Sequence, residues 1–517
     1  MLNLRKTILI VLFLLSAVTI FAQGNNGSNP VPEPYRPLIH FSPTQDWMSD
    51  PNGLVYYKGE YHLFYQHLVK SGLPGSHWGH AVSSNLLHWQ HLPIALAPDS
   101  LGQIFSGSCV VDINNTSRLG TKQNPPMLAI FTYHNPKAEK FQETQALAYS
   151  TDKGRSWRKY AANPIIKNPG LPDFRDPKVM WDETSKHWLM ALAAGQVIKF
   201  YSSSDCLNWT FMSEFGTGKG NHAGPWECPD FFPIKVKGTN ETKWVLLVSV
   251  VNLSNGADRL ATATQYFIGD FDGEKFSSNQ KDTLWVDHGK DCYAGNTFNN
   301  EPGGRRIFIA WMQSHQYAGQ VQNSITKTWS GAATFPRELH VVKNDNRYYL
   351  ESEPIKELSD LLEKKVKVER EKIDSNLDLS KYMKFEKLAF EVNLDFSTNH
   401  LPGKYGIRLK NDLNENITIY YDRKLGEIFV DRTNATGIKF NERYASLQQA
   451  PYKNIGKTMS WRLLIDIASL EFFTNDGKIV FTDTFYPTKP FDKMEVFSEE
   501  GTVILNEGTI QHLGQIY

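Results

Sequence analysis

Three acidic residues carry the strongest chemical signal in the chain, because each opens an apolar strand pattern and each is followed within two residues by proline. They lie in Asp50-Pro51-Asn52-Gly53, Arg175-Asp176-Pro177 and Glu227-Cys228-Pro229-Asp230. Carboxyl groups brought together in one cavity suit glycosidic bond cleavage: one attacks the anomeric carbon, a second protonates the leaving oxygen, and a third holds hydroxyls and steadies an oxocarbenium-like transition state. Each acid also has a plain structural reading. Asp-Pro-Asn-Gly is an excellent turn, since proline presets φ and Asn-Gly tolerates positive φ. Arg175-Asp176 fits a surface ion pair, and Glu227 fits a solvated loop acid. Taken together, the structural readings require three acids to fall at matching places in three similar units by chance.

Those units are the elements that must position the acids. From about residue 36 to 352 the chain is a succession of short β-patterns punctuated by Gly, Pro and Asn, with no long helical period. Five segments share a turn, an apolar strand, a tight turn and a second apolar strand. They are Asp50–Gly53 into Tyr61–Gln66, Phe105–Asp112 with Met127–Tyr133, Arg175–Pro177 with Trp188–Ala193, Glu227–Asp230 with Trp244–Val251, and Gly295–Phe298 with Ile307–Met312. A second element recurs three times: Ser83-Ser84-Asn85 leads to Trp89, Ser150-Thr151-Asp152 to Trp157, and Ser203-Ser204-Asp205 to Trp209. Five such units predict five four-stranded blades of a β-propeller, with the innermost strands lining a central funnel. Residues 353–365 read as a short helical connector. Residues 366–517 alternate apolar and polar positions between polar turns, including Asn475-Asp476-Gly477, and predict a β-sandwich. The expected fold is all-β: a five-bladed β-propeller with a C-terminal β-sandwich.

Composition agrees and excludes other classes. The 517 residues exceed one hydrophobic core. Fifty-five basic residues balance 55 acidic ones, so the basic excess of a nucleic-acid binder is missing, and the 13 Trp and 22 Tyr suit uncharged sugar rings. Arg5 and Lys6 precede an apolar run ending at Ala22, which reads as a signal peptide over residues 1–22 followed by a Gly/Asn/Pro-rich linker at 23–35. The run is short for a membrane span, so no span is expected after its removal; an uncleaved anchor is the alternative. The four scattered cysteines indicate neither a disulfide framework nor a zinc site.

The wording of the motifs adds a resemblance. Trp47-Met48-Ser49-Asp50-Pro51-Asn52-Gly53, Phe174-Arg175-Asp176-Pro177 and Trp226-Glu227-Cys228-Pro229-Asp230 closely resemble the three signatures of glycoside hydrolase family 32, which includes invertases, inulinases and levanases. The likeness continues through Tyr61–Gln66, Trp78–Ser83, Phe105–Ser108, Asp291–Ala294, Pro336–Leu339, Val430–Thr433 and Phe472–Gly477. It implies the same propeller and sandwich, a secreted retaining hydrolase of β-fructosidic bonds in levan, inulin or sucrose, and no metal or cofactor. It implies Asp50 as nucleophile, Glu227 as acid/base and Asp176 as transition-state stabiliser. Ser49, Gln66, Trp78, Phe105, Ser106, Arg175, Asp291, Tyr293 and Trp311 would surround the substrate, with Tyr293 and Asp291 supporting Glu227. Cys228 would be a buried neighbour of Glu227.

Two rival functions share parts of this pattern. Ser150–Trp157 resembles the Asp-box of sialidase propellers, but a sialidase needs an arginine cluster and a tyrosine nucleophile, and three acids would repel its substrate. A non-catalytic fructan-binding protein would not need all three acids. The chain departs from the family at two places on the expected pocket rim. Ser49 stands where Asn is usual, and His67–His77 lacks a usual tryptophan, with Leu73 near its place. A hydroxyl offers fewer donor and acceptor sites than an amide. Ser49→Asn should therefore tighten binding of the terminal fructosyl unit by ~0.5–1.5 kcal/mol, one added hydrogen bond. Titration with a fructose oligomer checks this; a loss of affinity would mean that the pocket is built around the serine.

Overall fold

The computed structural model describes residues 33–517 apart from 71, 73, 139, 141, 252–261, 386–387, 400, 453–455 and 475–476. The expected signal peptide, nearly all of the linker, Leu73 and the Asn475-Asp476 turn residues lie outside the described residues. Among the described residues no helix is long and apolar enough to cross a membrane.

Five antiparallel sheets form the propeller. Blade 1 is Asp46–Tyr57, Glu60–Leu68, Ser76–Ser83 and Gln90–Leu96; blade 2 is Gln103–Val111, Met127–His134, Glu143–Ser150 and Arg158–Lys159. Blade 3 is Phe174–Asp182, His187–Ala194, Val197–Ser203 and Thr210–Phe215. Blade 4 is Trp226–Lys235, Thr242–Val251 and Thr262–Phe271, edged by Phe276–Ser277; blade 5 is Tyr293–Thr297, Ile307–Trp311, Arg337–Asn344 and Arg347–Pro354. The first strand of each blade touches the first strands of its two neighbours, and the last of these contacts, blade 5 to blade 1, closes the ring. The short strand Trp329–Ser330 adds to the inner strand of blade 1 in parallel.

The recurring Ser-Asx-Trp element is a local lock on the outer edge of three blades. Ser150 Oγ donates to Asp152 Oδ1 at 2.7 Å, Asp152 Oδ1 accepts the Ser156 N–H at 2.9 Å, and Trp157 Nε1 donates to Gly154 O at 3.1 Å. Asn85 with Trp89 and Asp205 with Trp209 repeat the arrangement, their indoles donating to Leu86 O and Cys206 O at 3.1 Å. These side chains satisfy turn amides, which leaves the sialidase-like sequence a structural role.

The 3-10 turn Lys356–Leu361 links the propeller to two sheets of seven and six strands. Along Ala389–Ser397 every second residue, from Phe390 through Val392 and Leu394 to Phe396, is buried. They pack with Tyr405, Ile407, Trp461 and Phe472 between the sheets, each large side chain contributing ~1.5–3 kcal/mol by leaving water. All four cysteines are buried and free.

Propeller and sandwich meet through charge as well as apolar contact. Arg337, fully buried on blade 5, donates to Asp287 at 2.9 Å and to Glu471 of the sandwich at 2.8 Å. His40 bridges Glu471 and Asp466 at 2.9 and 2.8 Å. Burial alone would push this imidazole down, but its two carboxylate hydrogen bonds outweigh that and raise it to about 9. Arg432 of the sandwich pairs with Asp291 at 2.5 Å and Asp483 at 3.2 Å. Removing one partner from such a buried set leaves an uncompensated charge. Arg337→Met should therefore lower unfolding free energy by about 3–5 kcal/mol, read from urea denaturation; a loss under ~1 kcal/mol would mean that the network is dispensable.

Candidate active site

The first residues of the five inner strands gather at one mouth, where Asp50 meets Ser106 and Cys228, Cys228 meets Asp176, and Glu227 meets Arg175 and Tyr293. Each inner strand is irregular at the same level. Strand pairing slips between Met48 and Pro51, between Ile104 and Gly107, opposite Asp176-Pro177, between Glu227 and Asp230, and between Tyr293 and Asn296. The prolines lack the N–H that a regular ladder needs. Asp176, Cys228 and Ala294 take positive φ of 66°, 45° and 54°. Such bulges re-aim side chains, and here they turn residues of every blade toward one cavity. Gly53, at φ 55°, lies in a second slip of the first strand, between Asn52 and Val55, where a Cβ would lie 2.6 Å from Phe64.

Asp50, Asp176 and Glu227 are brought together, each held differently. Asp50 Oδ2 accepts the Ser106 hydroxyl at 2.7 Å, while Oδ1 has no hydrogen-bond partner among the described residues. Burial pushes this carboxyl up; His315 and Ser106 oppose the shift and the charge of Glu227 adds to it. Asp176 Oδ2 accepts the Cys228 N–H at 3.0 Å, and the Asp176 N–H donates to Thr132 Oγ1 at 2.9 Å. Burial raises Asp176 to about 7, with Arg175 opposing and the two neighbouring carboxylates adding. Glu227 Oε1 accepts from Arg175 Nη2 at 2.8 Å, and Oε2 accepts the Tyr293 hydroxyl.

The Cys228 thiol lies 3.5 Å from Asp50 Oδ2 and 3.6 Å from Asp176 Oδ2. Burial and the surrounding carboxylates hold it well above its ordinary value. It stays a protonated donor between two acids, a larger role than that of a passive neighbour.

The remaining expected site residues divide. Ser49 is buried beside Asp50. Gln66 Oε1 accepts from Ser76 Oγ, and its Nε2 has no partner among the described residues. Phe105 is half-buried and stacked on His134, with centroids 4.3 Å apart. Trp311 packs against Trp47 at 5.8 Å and His315 at 4.7 Å. Two residues are elsewhere. Trp78 is fully buried against Phe64 and Phe131, its Nε1 donating to Phe105 O at 3.0 Å, so it underlies the pocket and does not line it. Asp291 is fully buried against the sandwich. It accepts from Tyr317, Arg432 and the Thr484 N–H and hydroxyl at 2.5–2.9 Å, and donates no support to Glu227. Its Oδ2 is spent on the other domain and its Oδ1 on Tyr317.

Several residues at the site carry no signal in the sequence. His315 is exposed beside Tyr293 and Trp311, within electrostatic reach of Asp50. Glu143 and Asp173 both accept from Arg175 Nη1, at 2.9 and 2.7 Å. Below the mouth, Asp230 is engaged by Lys178 at 3.1 Å and by the Thr297 N–H at 2.5 Å, so it belongs to the channel floor. No group of histidine, cysteine and carboxylate side chains among the described residues is arranged to hold a metal ion. What the mouth offers is proton transfer and a carboxylate with an uncommitted oxygen.

Comparison with known proteins reaches the whole of both domains. Residues 40–354 match the glycosyl hydrolases family 32 N-terminal domain, and residues 357–512 match the glycosyl hydrolases family 32 C-terminal domain. The chain is 40% identical to a levanase of Bacillus subtilis (strain 168) over 524 residues, covering 98% of this chain and 74% of the levanase. It is 33% identical to an extracellular exo-inulinase of Aspergillus niger over 512 residues, 92% of this chain and 94% of that enzyme. The crystal structure of exo-inulinase from Aspergillus awamori superposes with a TM-score of 0.85 at 30% identity, covering 94% of this chain and 99% of that one.

The raised Asp176 fixes a stability test. Its folded-state affinity for a proton exceeds that of an unfolded aspartate, ordinarily 3.8. Stability therefore falls as pH rises through the window from about 4 to about 7. Asp176→Asn removes that cost. The variant should match the parent near pH 4 and be more stable above pH 7, by roughly 1–3 kcal/mol. Thermal unfolding at both pH values checks it; an equal difference at each would refute the buried, raised carboxyl.

Proposed function

The chain belongs to glycosyl hydrolases family 32 and is a glycoside hydrolase, and on that premise we propose that it cleaves β-fructosidic bonds in fructans and sucrose by double displacement. Asp50 attacks C2 of the fructosyl unit while Glu227 protonates the leaving oxygen. Water then enters with Glu227 as base, and configuration is retained. Asp176 and Arg175 hold hydroxyls and balance charge as the oxocarbenium character grows. Ser49, Gln66, Phe105 and Ser106 shape the pocket for the terminal sugar, and the fully buried Trp311 supports it from behind through Trp47 and His315. The names of the relatives, levanase and extracellular exo-inulinase, support a fructan substrate and secretion, as does the apolar N-terminal run.

The observation that carries the reading is the difference between the two principal carboxyls. Asp50 has one oxygen tied to Ser106 and the other uncommitted, the state a nucleophile needs. Glu227 has both oxygens engaged by groups that remain in place as it gains or loses a proton, the state a proton carrier needs.

Leaving-group dependence separates the roles. Fluoride departs with little help from an acid, whereas a sugar alkoxide needs protonation. Asp50→Ala should lose turnover of both sucrose and β-fructosyl fluoride by several orders of magnitude, on the scale of deleting a catalytic nucleophile. Glu227→Ala should lose sucrose turnover but keep the first step on the fluoride, accumulate an adduct on Asp50 visible by mass spectrometry, and be relieved by azide. Equal losses on both substrates in Glu227→Ala, with no effect of azide, would reject the assignment.

A further inference from the structure

Arg175 is surrounded by more negative charge than one guanidinium balances. Nη2 lies on Glu227 Oε1, while Nη1 is shared between Glu143 Oε1 and Asp173 Oδ1. Asp173 precedes Arg175 on the same chain segment and is 38% exposed. Glu143 comes from another blade: it opens the strand Glu143–Ser150 of blade 2 and is buried. Its second oxygen accepts the Phe174 N–H at 2.8 Å. Its first lies 3.7 Å from His134 Nδ1, the ring on which Phe105 stacks. Burial pushes the Glu143 carboxyl up, yet His134, Arg175 and the Phe174 N–H outweigh it and hold the group below its ordinary value. Glu143 is an anion at working pH.

A guanidinium resting on Glu227 alone would favour the ionised form of that carboxyl at every stage. The first chemical step requires the opposite, a proton in place. Two further carboxylates on Nη1 offset the cation's field at Glu227. By taking both Nη1 hydrogens they also fix the plane of the guanidinium, so that Nη2 stays on Oε1. We propose that Glu143 is a positioning residue for the acid/base step, acting through Arg175 on Glu227. The proposal rests on the role given to Glu227 above.

The other charged or titratable groups facing this cluster are Asp173, Arg175 and Asp176 from blade 3, Glu227 and Cys228 from blade 4, Tyr293 and His315 from blade 5, Asp50 from blade 1 and His134 from blade 2. Within that set, Glu143 can lose its charge without removing a hydrogen bond of Asp50, Asp176 or Glu227.

Glu143→Gln keeps the shape and discards the charge. The alkaline limb of kcat/KM for sucrose or levan, which reports the essential acid, should move to lower pH by about 0.5–1. KM should stay near the parent's, and kcat/KM for β-fructosyl fluoride, which reports the first step alone, should be unchanged. A superimposable pH profile would overturn the proposal. So would an equal loss on both substrates at every pH, the signature of a merely structural role. Asp173→Asn, on the more exposed partner, should give a smaller displacement in the same direction. If Glu143→Gln does not fold, absence of any displacement in Asp173→Asn overturns the proposal instead. A parent protein that turns over neither sucrose, levan nor the fluoride overturns the function itself, and this inference with it.

Discussion

Mutual repulsion among three carboxyl groups in one partly dry cavity is the constraint on which the rest of the structure turns. Two carboxylates ~5 Å apart at an effective dielectric of ~20 repel by about 3 kcal/mol, and burial adds a desolvation cost for each. The fold meets this with fixed donors. A guanidinium serves Glu227, a thiol and a backbone N–H serve Asp176, a hydroxyl and the same thiol serve Asp50, and a phenol completes Glu227. The donors come from four strand starts, at Ser106, Arg175, Cys228 and Tyr293, with Cys228 giving both its thiol and its N–H. A propeller is suited to the task because it brings five strand ends to one place without a shared segment of chain.

The cost of that arrangement falls on the backbone. A regular antiparallel ladder alternates side chains strictly and would send half of these residues into the blade interfaces. The five slips in pairing at the mouth break the alternation, and the proline after each acid makes the slip obligatory by removing a ladder donor. The same Asp-Pro pattern that reads as a turn in the sequence is thus the device that presents the acid. The structural and chemical readings of these motifs are one reading.

Much of the architecture is legible in the sequence because it is local. The Ser-Asx-Trp turns satisfy their own amides within a few residues, so their spacing reports the blades directly. The alternation of Phe390, Val392, Leu394 and Phe396 reports a sheet buried on one face. The three acids are legible because their prolines and glycine mark the bulges. What is not legible depends on contacts far along the chain. Trp78 and Asp291 sit inside motifs that resemble the family's, and nothing in their spacing says that one faces the core and the other the sandwich. His315 and Glu143 have ordinary neighbours in sequence; folding within blade 5 sets the first beside Tyr293, and the packing of blade 2 on blade 3 sets the second against Arg175.

The charge network between propeller and sandwich has a consequence for how the polypeptide can be divided. Arg337 leaves the propeller with a cation whose main acceptor, Glu471, is on the other half, and Asp291 leaves it with an anion whose cation, Arg432, is also there. Neither half is electrically complete in its interior. Cut at the turn Lys356–Leu361, the chain yields two fragments that each bear buried charge and an apolar face, poor candidates for life apart. Made in the same cell, the fragments hold the complementary halves of one interior, so catalysis becomes a reporter of their meeting.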